Sequence, residues 1–302
     1  MSVIQIDRLI EAIERTGNPA ALGLDTRIEY LPQSMLENAS PEDAIYTFNR
    51  GLIDALADIV PCVKVQAAYY EMLGVAGMRL FRDTLIYAKE KGMTVIADVK
   101  RNDIGATAEA YAAAYLGGPQ NDAPFLADFA TVNAYLGTDG IAPFLSACEK
   151  TGKGIFLLVR TSNPSAGEFQ DLIVQDGAPG GPRPLYEHMG LKVAQWGEPL
   201  MGRYRYSSVG AVVGATWPEE GKNLRALLPR VFFLVPGYGA QGATAQDLAG
   251  CFDAQGRGVV VNASRSLLCA HQKRKTDDFA AAARDEALRM RDGLRAAITR
   301  KG

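Results

Sequence analysis

Cysteine and histidine are scarce in this 302-residue chain, which has four of the first and two of the second. Cys62, Cys148, Cys251 and Cys269 form no C-x-x-C pair, which argues against a disulfide framework or a thiol zinc site of the usual spacing. Scattered thiols in a long chain point to a reducing compartment, and the cytoplasm is expected. His188 and His271 lie far apart, so a histidine metal site or a Ser–His hydrolase is a poor starting point. No apolar run approaches the roughly 18 residues of a membrane span. The net charge is only -2, so the basic face of a general nucleic-acid binder is missing. The chain also lacks an internal repeat, a low-complexity tract and a linker that would set off a second domain. Its N-terminus, MSVIQIDRLIEAIERTGNP, has no signal-peptide pattern and instead spaces Ile6, Leu9, Ile10 and Ile13 as a helix face.

With 48% apolar and 22% charged residues, the composition is that of an ordinary globular protein. Eight short apolar runs recur: ALGLD (21–25), CVKVQ (62–66), TVIADVK (94–100), FATVNAY (129–135), GIFLLVRTS (154–162), VGAVVGAT (209–216), VFFLVPG (231–237) and GVVVNAS (258–264). Near-continuous apolar strands suit a parallel sheet buried on both faces. Helical stretches separate them. Ile45, Phe48, Leu52, Leu56 and Ile59 form one stripe, and Ser40-Pro41-Glu42-Asp43 before it reads as a cap. Thr244-Ala245-Gln246-Asp247 offers a similar start, and residues 279–300 are rich in helix formers.

Eight such units predict a single α/β domain over residues 1–302, a (β/α)8 TIM barrel. The structural rival is a doubly wound open sheet, weakened by the absence of G-x-G-x-x-G after the first strand. Excess length falls at residues 26–44 and in a Gly/Pro-rich insertion over 163–208. The latter is expected to be a lid over the barrel mouth or an arm at a subunit contact.

Catalytic groups of such barrels gather at the C-terminal ends of strands. The first strand ends in Asp25, and the second carries Lys64 within an apolar run. The third ends in Asp98-Val99-Lys100, with Asp103 close behind. Strand alternation puts Asp98 and Lys100 on one face. A buried charge is costly unless paired, so Lys64, Asp98, Lys100 and Asp103 are expected to satisfy one another in an alternating chain. Singly, such residues are commonly solvated surface pairs. An acid and a base on one strand end beside a buried lysine make a catalytic cluster the stronger expectation.

Strand seven runs into Pro236-Gly237-Tyr238-Gly239-Ala240-Gln241-Gly242, and strand eight into Asn262-Ala263-Ser264-Arg265. Loops after strands seven and eight are the usual phosphate site of barrels. A lone P-G-x-G is an ordinary turn. With Arg265 as a planar fork and Gln241 as an amide donor, the pair of loops predicts a phosphate grip.

Asp98-x-Lys100-x-x-Asp103-Ile104-x-x-Thr107 resembles the signature of the orotidine 5′-phosphate decarboxylase family. GLD (23–25), VKVQAAYYE (63–71), RTSNP (160–164), PGYGAQG (236–242) and NASRSLL (262–268) follow the family's order around the barrel, and the length is similar to its longer bacterial branch. The resemblance implies conversion of orotidine 5′-monophosphate to UMP and carbon dioxide in de novo pyrimidine synthesis. It also implies a homodimer with shared active sites, no cofactor and no metal, and no nucleic-acid or membrane partner. By matching position, Lys100 would protonate C6 and Asp98 would face the substrate carboxylate. Asp25 and Lys64 would contact ribose hydroxyls, and Ser162 the pyrimidine. Gln241 and Arg265 would hold phosphate. Asp103, Ile104 and Thr107 would reach into the partner's site.

Two alternatives remain at this stage. One is a magnesium-dependent sugar-phosphate lyase of the same superfamily, against which counts the absence of a Glu before Asp98 in its strand. The other is a non-catalytic nucleotide-binding barrel. His188, His271, Tyr69 and Tyr70 are expected to be surface or packing residues, and the thiols small apolar fillers. The run from His271 to Lys275 is expected to be a solvated turn.

Overall fold

The computed structural model describes residues 4–37, 39–118, 123–175, 181–239 and 242–299. Eight parallel strands close into a barrel. They are β1 (Ala20–Leu24), β2 (Cys62–Gln66), β3 (Thr94–Arg101), β4 (Phe129–Val132), β5 (Gly154–Arg160), β6 (Val209–Val213), β7 (Phe233–Pro236) and β8 (Val259–Ala263). Each falls on one of the eight apolar runs, and β8 pairs with β1 to leave no edge. The open-sheet rival is thereby excluded.

Strand alternation divides the core in two. Ala21, Cys62, Ile96, Phe129, Phe156, Val212, Leu234 and Val260, one from each strand, fill the barrel interior. The intervening residues, such as Leu22, Val63, Val95 and Ala130, face outward into the larger core with the helices. Ile6, Leu9 and Ile10 of the N-terminal helix α1 (Gln5–Thr16) join the interior cluster. Several of the strand residues they meet stand at or next to strand starts, so α1 plugs the N-terminal end. The opposite mouth is left to the loops.

The helix Pro41–Leu56 begins at Ser40, whose hydroxyl accepts from Asp43 N at 3.1 Å. Ile45, Phe48, Leu52 and Leu56 are buried along it, as their spacing requires. Thr244 and Asp247 cap each other reciprocally.

The insertion over 163–208 needs correction. Only its first half leaves the barrel, as a small antiparallel ribbon pairing Ile173–Val174 with Arg183–Pro184. Leu185–Gly197 is the barrel helix that follows β5 and packs on β5 and β6, burying Tyr186 and Val193. Gly190 obscures this helix in the sequence. In space the glycine sits against Leu228, whose Cδ1 would lie 2.7 Å from a Cβ there and would have to shift to make room. The run 271–275 is exposed from residue 272 onward, as a solvated turn would be, but most of it is helical. Ala270–Arg274 is a short helix, and His271 is buried edge-on against the paired Phe48 and Phe279 rings.

Candidate active site

Four charges alternate across the C-terminal ends of three adjacent strands. Lys64 Nζ lies 2.7 Å from Asp98 Oδ2 and 3.2 Å from Asp25 Oδ1. Lys100 Nζ lies 2.6 Å from Asp98 Oδ1. Lys64 and Asp98 are buried, whereas the Lys100 side chain is 45% exposed and remains accessible to a ligand. Within one chain the row is Asp25–Lys64–Asp98–Lys100, with Asp25 at its end and Asp103 outside it. After β3 the chain turns outward into the helix Gly105–Leu116, and the Asp103 carboxylate accepts from Ile104 N at 2.8 Å. Ile104 and Thr107 are exposed beside it, and neither lines the pocket at the barrel mouth of its own subunit.

The row forms one wall of a pocket of about 530 Å³ at the open mouth. Leu158, Val212, Leu234 and Pro236 form an apolar wall opposite. Ser162 and Arg265 line the pocket as expected, and so does Tyr69, which the sequence reading assigned to packing. Tyr70 is buried and accepts from Asn49 Nδ2 at 2.9 Å. Gly237 and Gly239 take φ of +107° and +71°, so the loop after β7 needs residues without a Cβ. Gln241 lies outside the described residues.

The sequence reading missed three polar groups here. Gln66 Nε2 donates to Asp98 Oδ2 at 3.0 Å. It stands two residues after Lys64, and strand alternation could have found it. Thr131 donates to Asp98 Oδ1 from the neighbouring strand at 2.9 Å. Asn262 lines the pocket with its Oδ1 buried and without a partner among the described residues. Ser162 sits in a braced loop. Thr161 N donates to Gln170 Oε1 at 2.9 Å, and Trp217 Nε1 donates to Thr161 O at 3.0 Å. The buried Arg160 is stacked on Trp217 and lies 2.8 Å from Asp171 of the insertion.

Electrostatics couple the row. Burial alone would raise the Asp98 carboxyl pKa, but the Lys64 and Lys100 ammoniums outweigh it and hold it well below the carboxylate range. Burial alone would lower the Lys64 pKa, but Asp25 and Asp98 outweigh it and raise it. The Asp98 contribution to stability is present above the ordinary carboxylate range and fades as pH falls toward its depressed value. The Lys64 contribution is full below the ordinary lysine range and fades only in strong alkali.

Lys64→Met should therefore cost about 3 kcal/mol at neutral pH, the low end for a broken buried pair, because Asp25 loses its ammonium while the buried Asp98 keeps only Lys100. The deficit should shrink toward pH 4, because the buried Asp98, with one ammonium fewer to hold its charge, then takes up a proton more readily than in the wild type. Urea unfolding at both pH values checks this, and equal midpoints at neutral pH would contradict an energetically coupled row.

Among the described residues, no three His, Cys, Asp or Glu side chains come together as a metal-ion cage. No helix is long and apolar enough to cross a membrane, again among the described residues.

Residues 47–277 match the model of the orotidine 5′-phosphate decarboxylase / HUMPS family. The chain is 44% identical to the orotidine 5′-phosphate decarboxylase of Clostridium acetobutylicum over 293 residues, covering 96% of this chain and 98% of the relative. It is also 44% identical to that of Rhodopirellula baltica, covering 96% and 95%. Among solved structures, a Streptomyces avermitilis chain superposes at TM-score 0.80 and 33% identity, covering 97% and 95%. The Leishmania donovani OMP decarboxylase superposes at TM-score 0.74 and 28% identity, covering 95% and 98%. By its matched sequence, its barrel and the order of its motifs, the chain belongs to the orotidine 5′-phosphate decarboxylase family and is a carboxy-lyase.

Proposed function

We propose that the chain converts orotidine 5′-monophosphate to UMP and carbon dioxide without a cofactor, as a cytoplasmic step of de novo pyrimidine synthesis. The observation that carries this reading is the accessible Lys100 ammonium held on the buried Asp98 inside the pocket. The bond from C6 to the carboxylate breaks, its electron pair stays on C6, and carbon dioxide leaves. The pyrimidine ring delocalises that pair poorly, so a placed positive charge has the most to contribute. The Lys100 ammonium stabilises the carbanion and then transfers a proton to C6, and water restores the lysine. Asp98 faces the substrate carboxylate from beside it, and like-charge repulsion favours departure of carbon dioxide.

Asp25 and Lys64 hold the ribose hydroxyls, and Ser162 bonds the pyrimidine. Arg265 and Gln241 hold the phosphate. Asp103, Ile104 and Thr107 complete the site of a partner subunit in a homodimer. Exposed apolar residues around the barrel mouth support this: Met72, Val75, Ile104, Tyr135 and Leu136 all follow β2, β3 or β4.

An ultraviolet assay of orotidine 5′-monophosphate in EDTA, with no added cofactor, tests the reaction; no absorbance change would refute it. The phosphate assignment has its own test. Arg265→Ala should lower kcat/KM about a hundredfold, because binding energy far from the reacting carbon drives closure. Turnover of phosphate-free orotidine should be the same in both proteins. An equal loss on both substrates would remove Arg265 from the phosphate.

A further inference from the structure

Strand β3 carries more residues than β4 can pair. Ala97 stands opposite Ala130 and Arg101 opposite Val132, which leaves Asp98, Val99 and Lys100 against the single residue Thr131. Within this bulge Lys100 takes φ +44°, a left-handed conformation that a side chain disfavours. A bulge also takes backbone N–H groups off the ladder, and they need other acceptors.

One hydroxyl supplies them. Thr131 Oγ1 accepts from Val99 N and from Lys100 N, each at 2.9 Å. The same group donates its hydrogen to Asp98 Oδ1 at 2.9 Å. A hydroxyl offers one donor and two acceptor lone pairs, so its capacity is fully used. Thr131 is 1% exposed, leaving water little access to replace any of these bonds. It shares Asp98 Oδ1 with Lys100 Nζ. It fixes the backbone from which that side chain springs and the carboxylate on which the ammonium rests.

We propose that Thr131 is the positioning residue for Lys100, holding the strained bulge so that the ammonium lies at the reacting carbon. This rests on the reading of Lys100 as the proton donor. Without the hydroxyl, two N–H groups lose their acceptor and Lys100 relaxes toward ordinary extended backbone. The ammonium then swings off the line between Asp98 and the pocket. Substrate grip is largely kept, because phosphate is held from the loops after β7 and β8 and Lys64 retains Asp25 as well as Asp98.

The test compares wild type with Thr131→Val, Thr131→Cys and Thr131→Ser in steady-state assays on orotidine 5′-monophosphate. Thr131→Val should lower kcat about a hundredfold, the scale of a misplaced reacting group, with KM within about twofold. Thr131→Cys keeps the volume but bonds weakly, and should lose at least about tenfold in kcat. Thr131→Ser should recover most of wild-type kcat. Should the valine protein fail to fold, the cysteine and serine proteins still decide. Cysteine or valine proteins with wild-type kcat overturn the proposal, even if they melt earlier, since that marks a merely structural role. A loss seen in KM alone overturns it too. A wild type that leaves the substrate unchanged refutes the underlying reaction; an active wild type with indifferent variants refutes Thr131 alone.

Discussion

Lys100→Ala is expected to lower kcat by at least about 10⁴-fold while UMP affinity stays within about tenfold of wild type. Two effects multiply here. Loss of a positioned general acid costs about 10²–10⁴-fold, and loss of a preorganised charge at the developing carbanion about 10²–10³-fold. Neither acts on the product, which carries no carboxylate and is gripped through ribose and phosphate. Lys100→Arg separates the two effects. Its guanidinium keeps the positive charge but does not give up a proton in proteins, so it too should be nearly inactive. Steady-state kinetics with UMP titration measures both quantities. A Lys100→Ala protein within tenfold of wild-type kcat would remove Lys100 from the proton transfer.

The second large effect is a recovery. Lys100→Ala and Asp103→Asn proteins should each be nearly inactive alone. After mixing and subunit exchange, activity should return to about a quarter of wild type, because half the dimers are mixed and each has one intact site of two. The sign follows from the geometry within one chain. Asp103 lies outside the row, whereas Lys100 lies inside it. If exchange is demonstrated and activity stays absent, Asp103 acts in its own subunit or only in folding.

The barrel was legible because its strands are buried on both faces, so each left a short apolar run with nothing to dilute it. The cap at Ser40 and the capping box at Thr244 were legible for a similar reason: their partners lie within a few residues. The helix Leu185–Gly197 was not, because it lies within a Gly/Pro-rich stretch and its buried residues, Tyr186 and Val193, are defined only by packing on β5 and β6. His271 looked solvated among lysines until Phe48 and Phe279, distant in sequence, enclosed it.

The same division runs through the site. Lys64, Asp98 and Lys100 could be picked out as misplaced charges at strand ends, since burying an ionic group demands a partner and the local sequence supplies both signs. Which acid closes the row is settled by the lateral pairing of Gly23 with Lys64, which brings Asp25 alongside while Asp103 turns away. Thr131 meets Asp98 only because β4 lies beside β3 with a bulge between Ala97 and Arg101. Composition and periodicity thus determined which residues form strands, which end of the barrel carries the charges and what kinds of charge they are. Only the tertiary structure decided which of them touch, because register between strands is set by packing across the whole sheet and leaves no trace in any one segment.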